Sequence, residues 1–160
     1  MPKLPPETRI GHIHLKVADL ERAIAFYRDV LGFELTQRYG NQAAFLSAGG
    51  YHHHIGLNTW ESRDAPPGPP GHPGLYHTAI LFPDRVSLGS AMKRVLEAGI
   101  TLDGAADHGV SEAIYLRDPD DNGVELYRDR APEHWPRDAD GNLNMMNSRL
   151  DLAALLAEAG

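Results

Sequence analysis

The chain contains a near-copy of part of itself, and this duplication limits its fold more than any other feature. The stretch GHIHLKVADLERAIAFYRDVLGF begins at Gly11, and YHTAILFPDRVSLGSAMKRVLEAG begins at Tyr76. An offset of 65 residues superposes His12 on His77, Asp19 on Asp84 and Leu31 on Leu96. Each copy reads as a short strand, an Asp-started turn and an amphipathic helix ending near glycine. Leu20, Ala23, Ile24, Tyr27 and Leu31 make one apolar stripe at helical spacing. Leu88, Ala91, Met92, Val95 and Leu96 make another. Asp19 is placed to cap the first helix, and Gly32 and Gly99 are natural residues for closing the two.

Three strand candidates follow each helix, at 33–39, 42–47 and 52–58, then at 101–102, 113–117 and 123–127. The predicted unit is βαβββ, used twice, in an α+β fold. The expectation is a curved mixed sheet around a metal-containing cavity with the helices outside. The modules cover about residues 8–60 and 75–130 of a single domain, 1–160. Between them, ESRDAPPGPPGHPG holds five prolines and three glycines and reads as a non-helical connector over 61–74. The polar tail, 131–160, ends in a short helix expected from Leu150, packed on the domain or on a partner subunit.

Strand parity separates two faces. Ile13, Leu15 and Val17 fall on one side of the first strand, and His12, His14 and Lys16 on the other. Ile114 and Leu116 oppose Tyr115 and Arg117. Val124 and Leu126 oppose Glu125. His12, Tyr115 and Glu125 therefore project away from the helices. A carboxylate there is costly to bury unless it is paired or binds a metal. His12, His77 and Glu125 give two imidazoles and one carboxylate. That set holds a divalent ion while leaving coordination positions open. Alternation over 52–58 puts on the same face either His53, or else His52 and His54. His14 shares the face of His12, and His72 and His134 fall in Pro-rich loops. Asp118 and Asp120 are read as shaping the turn before the Glu125 strand.

Composition sets outer limits. At 160 residues with 42% hydrophobic content, the chain can bury a real core. It has no cysteine, which excludes disulfides, zinc–thiolate sites and cysteine nucleophiles. A formal charge of −7 argues against nucleic acid or anionic membrane as a partner. No apolar run reaches membrane-spanning length and no secretory signal is read, so a cytoplasmic location is the expectation.

The paired βαβββ unit, with a histidine opening each copy and a glutamate late in the second, resembles the vicinal oxygen chelate superfamily. That group includes glyoxalase I, extradiol ring-cleaving dioxygenases and bleomycin-resistance proteins. The resemblance covers roughly residues 8–130. The stretch HGVSEAIYLRDPDDNGVELY, residues 108–127, is similar to the extradiol dioxygenase signature, with Asp121 where that signature has Gly or Pro. YHHHIGLNTW, from Tyr51, resembles the segment carrying the acid–base histidine, with His53 the nearest match. The resemblance implies a metal-dependent extradiol-type dioxygenase acting on a catechol-like diol, in aromatic degradation. His12, His77 and Glu125 would hold the metal. His53 would be the acid–base group, and His108 and Tyr115 would bond the substrate oxygens. Fe(II) stands first among the metals, with Mn(II), Zn(II) and Ni(II) as alternatives. No organic cofactor is expected, the partner is a small-molecule substrate, and a homodimer is implied. Two alternatives share the fold: a glyoxalase-type lyase or isomerase, and a drug-sequestering binding protein. Glyoxalase I adds a glutamate ligand at a position matching about Ile55 or Gly56, neither of which can ligate.

Overall fold

A computed structural model describes residues 1–160. The first repeat forms β1 (Ile13–Lys16), α1 (Leu20–Ile24), β2 (Glu34–Tyr39), β3 (Ala43–Ser47) and β4 (Ile55–Asn58). The second forms β5 (Thr78–Phe82), α2 (Arg85–Glu97), β6 (Gly104–Asp107), β7 (Ser111–Arg117) and β8 (Gly123–Asp129). Each repeat makes a four-stranded mixed sheet, ordered β1-β4-β3-β2 and β5-β8-β7-β6. In both, the first strand pairs in parallel with the last, and the other pairs are antiparallel. The duplication read in the sequence is thus a duplication of topology. The fold is α+β with two βαβββ modules, but the two sheets do not close on each other within the chain.

The predicted Asp19 cap forms, accepting from the Arg22 amide at 3.0 Å, and the structure adds a matching cap at Asp84, which accepts from the Ser87 amide at 2.7 Å. Gly32 and Gly99 end the two helices at φ +94° and +75°, a region that glycine enters without a Cβ penalty. One departure is that α1 runs on as π-helix over Ala25–Val30, with the Leu31 amide bonded to the Phe26 carbonyl at 3.1 Å. The wider turn leaves the sequence neighbours Phe26 and Tyr27 both buried. Two strands also move. The fourth starts at Ile55, so His52, His53 and His54 precede it and strand alternation does not orient them. The sixth is Gly104–Asp107, not 101–102. Its Gly and Ala residues lack the β-branched signature, and pairing with β7 supplies what propensity does not.

One hydrophobic core of 22 buried residues takes in the helix-facing sides of both sheets, from Leu15, Leu46 and Leu57 to Ile114, Leu116 and Leu126. The tail packs onto the same core. α3 (Leu152–Ala157), capped by Asp151, buries Leu155 against α2. A Cβ at Gly89 would lie 2.5 Å from the Leu155 carbonyl oxygen, so only glycine lets these two helices come this close. No helix is long and apolar enough to cross a membrane.

Polar bonds lock the repeats to each other. The Tyr27 hydroxyl donates to Asp118 at 2.8 Å, deep in the core, and burial pushes its pKa far up. Arg22 and the Ala18 amide both donate to Asp120, at 2.9 and 3.0 Å. Arg94 of α2 donates to the carbonyls of Val30 and Leu31, closing the end of the first helix. Asp118 also accepts from the Asp120 and Asn122 amides and from the Asn122 side chain. Asp118→Ala is expected to cost about 3 kcal/mol, and Tyr27→Phe about 1 kcal/mol. Urea unfolding checks both. Unchanged midpoints would show that this link does not hold the modules together.

Candidate active site

The β7–β8 hairpin sets the site. Its register puts Tyr115 directly opposite Glu125, and parallel pairing of β5 with β8 sets Ala79 beside Glu125. His77 stands just before β5. Its Nε2 lies 2.8 Å from Glu125 Oε2, with the two side chains 30% and 12% exposed. The Tyr115 hydroxyl lies 3.2 Å from Glu125 Oε1 and 2.7 Å from His108 Nε2. His108, Tyr115, Glu125 and His77 therefore form one continuous line of polar contacts. His108, Tyr115 and His77 of this line border a cavity of about 410 Å³, together with Tyr76, Arg117 and Asn147.

Two close approaches make this line. Gly123 has no Cβ, and one there would sit 2.2 Å from the Tyr76 carbonyl oxygen and 3.1 Å from His77 Cβ. The start of β5 can therefore lie directly against β8. Asp121, where the signature residue is Gly or Pro, adopts φ +66° at the hairpin turn, and Asp tolerates this conformation better than most residues.

Electrostatics marks the same place. The Tyr115 hydroxyl is pushed up to about 12, first by burial and then by the charge and hydrogen bond of Glu125. Glu125 is largely buried, and its polar partners are His77 and Tyr115, with no Arg or Lys among them. A carboxylate in that position fits a bound cation. The single Tyr115 hydrogen faces two acceptors, His108 Nε2 and Glu125. One added proton on His108 completes the line, with His108 donating to Tyr115 and Tyr115 to Glu125.

The other expected residues gather on the first sheet. The His12 ring lies 4.4 Å from His53, centroid to centroid, and His53 lies 5.1 Å from Phe45. His52 Nδ1 and His53 Nδ1 are 2.7 Å apart, and burial followed by the neighbouring imidazoles lowers the His53 pKa. His14 packs edge-on against Phe45 and at a tilt against Trp60, over Gly56, where a Cβ would meet the His14 ring at 2.9 Å. The space over Gly56, one of the two positions matching the fourth glyoxalase ligand, is thus filled by a neighbouring imidazole. His72 and His134 are exposed. His12 does not join His77 and Glu125, because no three His or acidic side chains of the chain are grouped closely enough to hold a metal.

The family model for the Glyoxalase/Bleomycin resistance protein/Dioxygenase superfamily matches residues 9–126. The chain belongs to this superfamily. It is 42% identical over 161 aligned positions, its whole length, to a Bacillus subtilis protein named catechol-2,3-dioxygenase. It is 34% identical over 76% of its length to a Rhodococcus globerulus protein named biphenyl-2,3-diol 1,2-dioxygenase 3. It spans only 55% and 63% of those two relatives. Among solved structures, a glyoxalase/dioxygenase from Nostoc punctiforme superposes with TM-score 0.65 at 19% identity, covering 82% of this chain and 99% of that one. A lactoylglutathione lyase from Agrobacterium tumefaciens gives 0.60 at 24%, covering 78% and 96%. At these identities the two structures share the fold. Superfamily membership implies a divalent metal, in keeping with a largely buried Glu125 carboxylate that has no Arg or Lys partner.

Sequence reasoning missed the role of Gly123 and the presence of Asn147 at the cavity. A glycine opening a strand is a legible signal of close backbone approach for the first. The tail offered no periodicity for the second. Two outcomes follow. Gly123→Ala should force β5 and β8 apart, lowering divalent-metal uptake and stability by about 1–3 kcal/mol. Equilibrium dialysis and thermal melts read both, and unaltered uptake would detach Gly123 from the site. Asp107, at the base of the His108 turn, is held below its ordinary 3.8 chiefly by Arg130. Its ion pair stabilises the fold above that value and is lost as pH falls through the lower native one. Asp107→Asn should therefore be less stable than wild type at neutral pH. The gap should close below pH 3.8, and a gap that widens in acid would contradict the assignment.

Proposed function

We propose that the chain is an extradiol-type ring-cleaving dioxygenase acting on a catechol-like aromatic diol. The observation that carries this reading is the line from His108 through Tyr115 and Glu125 to His77, beside an open cavity. The names of the two relatives supply the substrate class. His12, His77 and Glu125 would hold the metal, Fe(II) before Mn(II). Bound there, the metal supplies a Lewis acid and the coordination positions that bring diol and dioxygen together.

The chain's own residues handle orientation and protons. His108 Nε2 takes the proton that the diol loses by relay through the Tyr115 hydroxyl 2.7 Å away, which gives up its own hydrogen to His108 and receives the diol's, so that Tyr115 stays neutral. Tyr115 stays protonated at neutral pH, so it donates to an oxygen and does not compete as an anion. His53, beside His12, is the donor that returns a proton from the first-repeat side.

The third ligand comes from a second copy of the chain. Within one chain the shared core and the Tyr27–Asp118 and Arg94 bonds fix the modules, so His12 cannot swing to Glu125 without breaking them. Both ligand-bearing faces lie open, with Tyr76 beside His77 and Trp60 beside His14 both exposed. An isologous dimer that lays the first-repeat face of one copy on the second-repeat face of the other completes two equal sites.

His12→Ala, His77→Ala and Glu125→Ala should each lower bound divalent metal at least tenfold. Wild type loaded anaerobically with Fe(II) should consume oxygen with catechol, and His53→Phe should keep its metal but turn over more slowly. Co-expressing His12→Ala with Glu125→Ala should restore part of the activity, since one mixed site regains all three ligands. No restoration in a confirmed mixed dimer would sink the shared site. Isomerisation of a hemithioacetal without oxygen uptake would move the reading to the glyoxalase class. Tight aromatic binding without turnover would make the chain a binding protein.

A further inference from the structure

The C-terminal tail does more than pack on the core. Residues 146–148 run antiparallel to the end of β6 and pair with Asp107 and His108. The Asp107 and Ser148 amides and carbonyls exchange two hydrogen bonds of 2.9 Å, and the Ser148 hydroxyl donates to the Asp107 carbonyl at 3.1 Å. The Met146 amide donates to the His108 carbonyl at 2.9 Å. Gly109, at φ +76°, leaves the room that Pro136 and Met146 fill. One further bond joins the tail to the site. His108 Nδ1 lies 2.9 Å from the Met146 carbonyl oxygen, and Asn147 borders the cavity.

We propose that this tail segment is a working part of the active site, in which the Met146 carbonyl holds His108 as its Nδ1–H tautomer. A carbonyl oxygen only accepts, so the hydrogen of a neutral imidazole must sit on Nδ1. The lone pair is then left on Nε2, which faces the Tyr115 hydroxyl at 2.7 Å. In the opposite tautomer Nε2 would carry a hydrogen, and His108 could not receive the substrate proton through that atom. The tail is thus a positioning element that acts through His108. The inference rests on the dioxygenase reading only for what the proton acceptor is used for.

The experiment uses the full chain with ¹⁵N-labelled histidine. Two-bond proton–nitrogen spectra are recorded at a pH where the ring is neutral, with His108 assigned by its loss in His108→Gln. Wild type should show a pyrrole-type Nδ1 and a pyridine-type Nε2. An Nε2–H tautomer in wild type overturns the proposal. Ser148→Pro removes the amide and hydroxyl that pin the tail to Asp107 and leaves Leu150 and Leu155 in the core. It should mix the His108 tautomers and lower kcat with catechol about tenfold, with KM unchanged. A Ser148→Pro spectrum identical to wild type also overturns the proposal. Absence of turnover in wild type would sink the dioxygenase reading, while the wild-type spectrum would still decide the tautomer.

Discussion

The buried carboxylate of Asp118 is the constraint on which the rest depends. It accepts two backbone amides and one side-chain amide inside its own turn, and the Tyr27 hydroxyl from the other repeat. The first three bonds close the β7–β8 hairpin and so fix its register. A slip of one residue would send Tyr115 and Glu125 to the helix face and drive Ile114 and Leu126 out of the core. The fourth bond ties that hairpin to the first repeat. Stability and chemistry therefore share one residue, with the core behind the hairpin and the polar line in front of it.

Much of this was legible in the sequence because it is periodic. The 65-residue offset, the two helix stripes and the strand parity of His12, Tyr115 and Glu125 depend on spacing alone, and spacing survives without coordinates. His77 and Glu125 are linked in the sequence only as members of the suggested ligand set, and the parallel β5–β8 pairing that brings them together is seen only in the structure. The illegible parts lack such a signal. Strand β6 is built from Gly and Ala and is made a strand by its partner. The π-helical segment differs from an α-helix by one residue per turn, which a short stripe does not resolve. The histidine run at 52–54 looks like strand alternation, but the strand begins only at Ile55. The contact from Met146 is made by a backbone carbonyl, so it leaves no trace in residue identity.

The candidate site divides its labour between the repeats. The second carries the carboxylate, the tyrosine and two histidines in hydrogen-bond contact. The first carries a looser group of imidazoles among Phe45 and Trp60. A duplicated scaffold permits this, because each copy keeps its helix-facing core positions while the opposite face diverges. The twin sheets share topology and differ in chemistry.

The His14 ring over Gly56 bears on how such a scaffold can change over evolutionary time. A glutamate at position 56 would meet the imidazole at once, since even a Cβ lies 2.9 Å from it. A side chain at position 56 therefore requires the His14 ring to move or to be replaced. Either change gives up the packing of His14 against Phe45 and Trp60. Two members of one superfamily can thus lie a few changes apart with no easy single step between them.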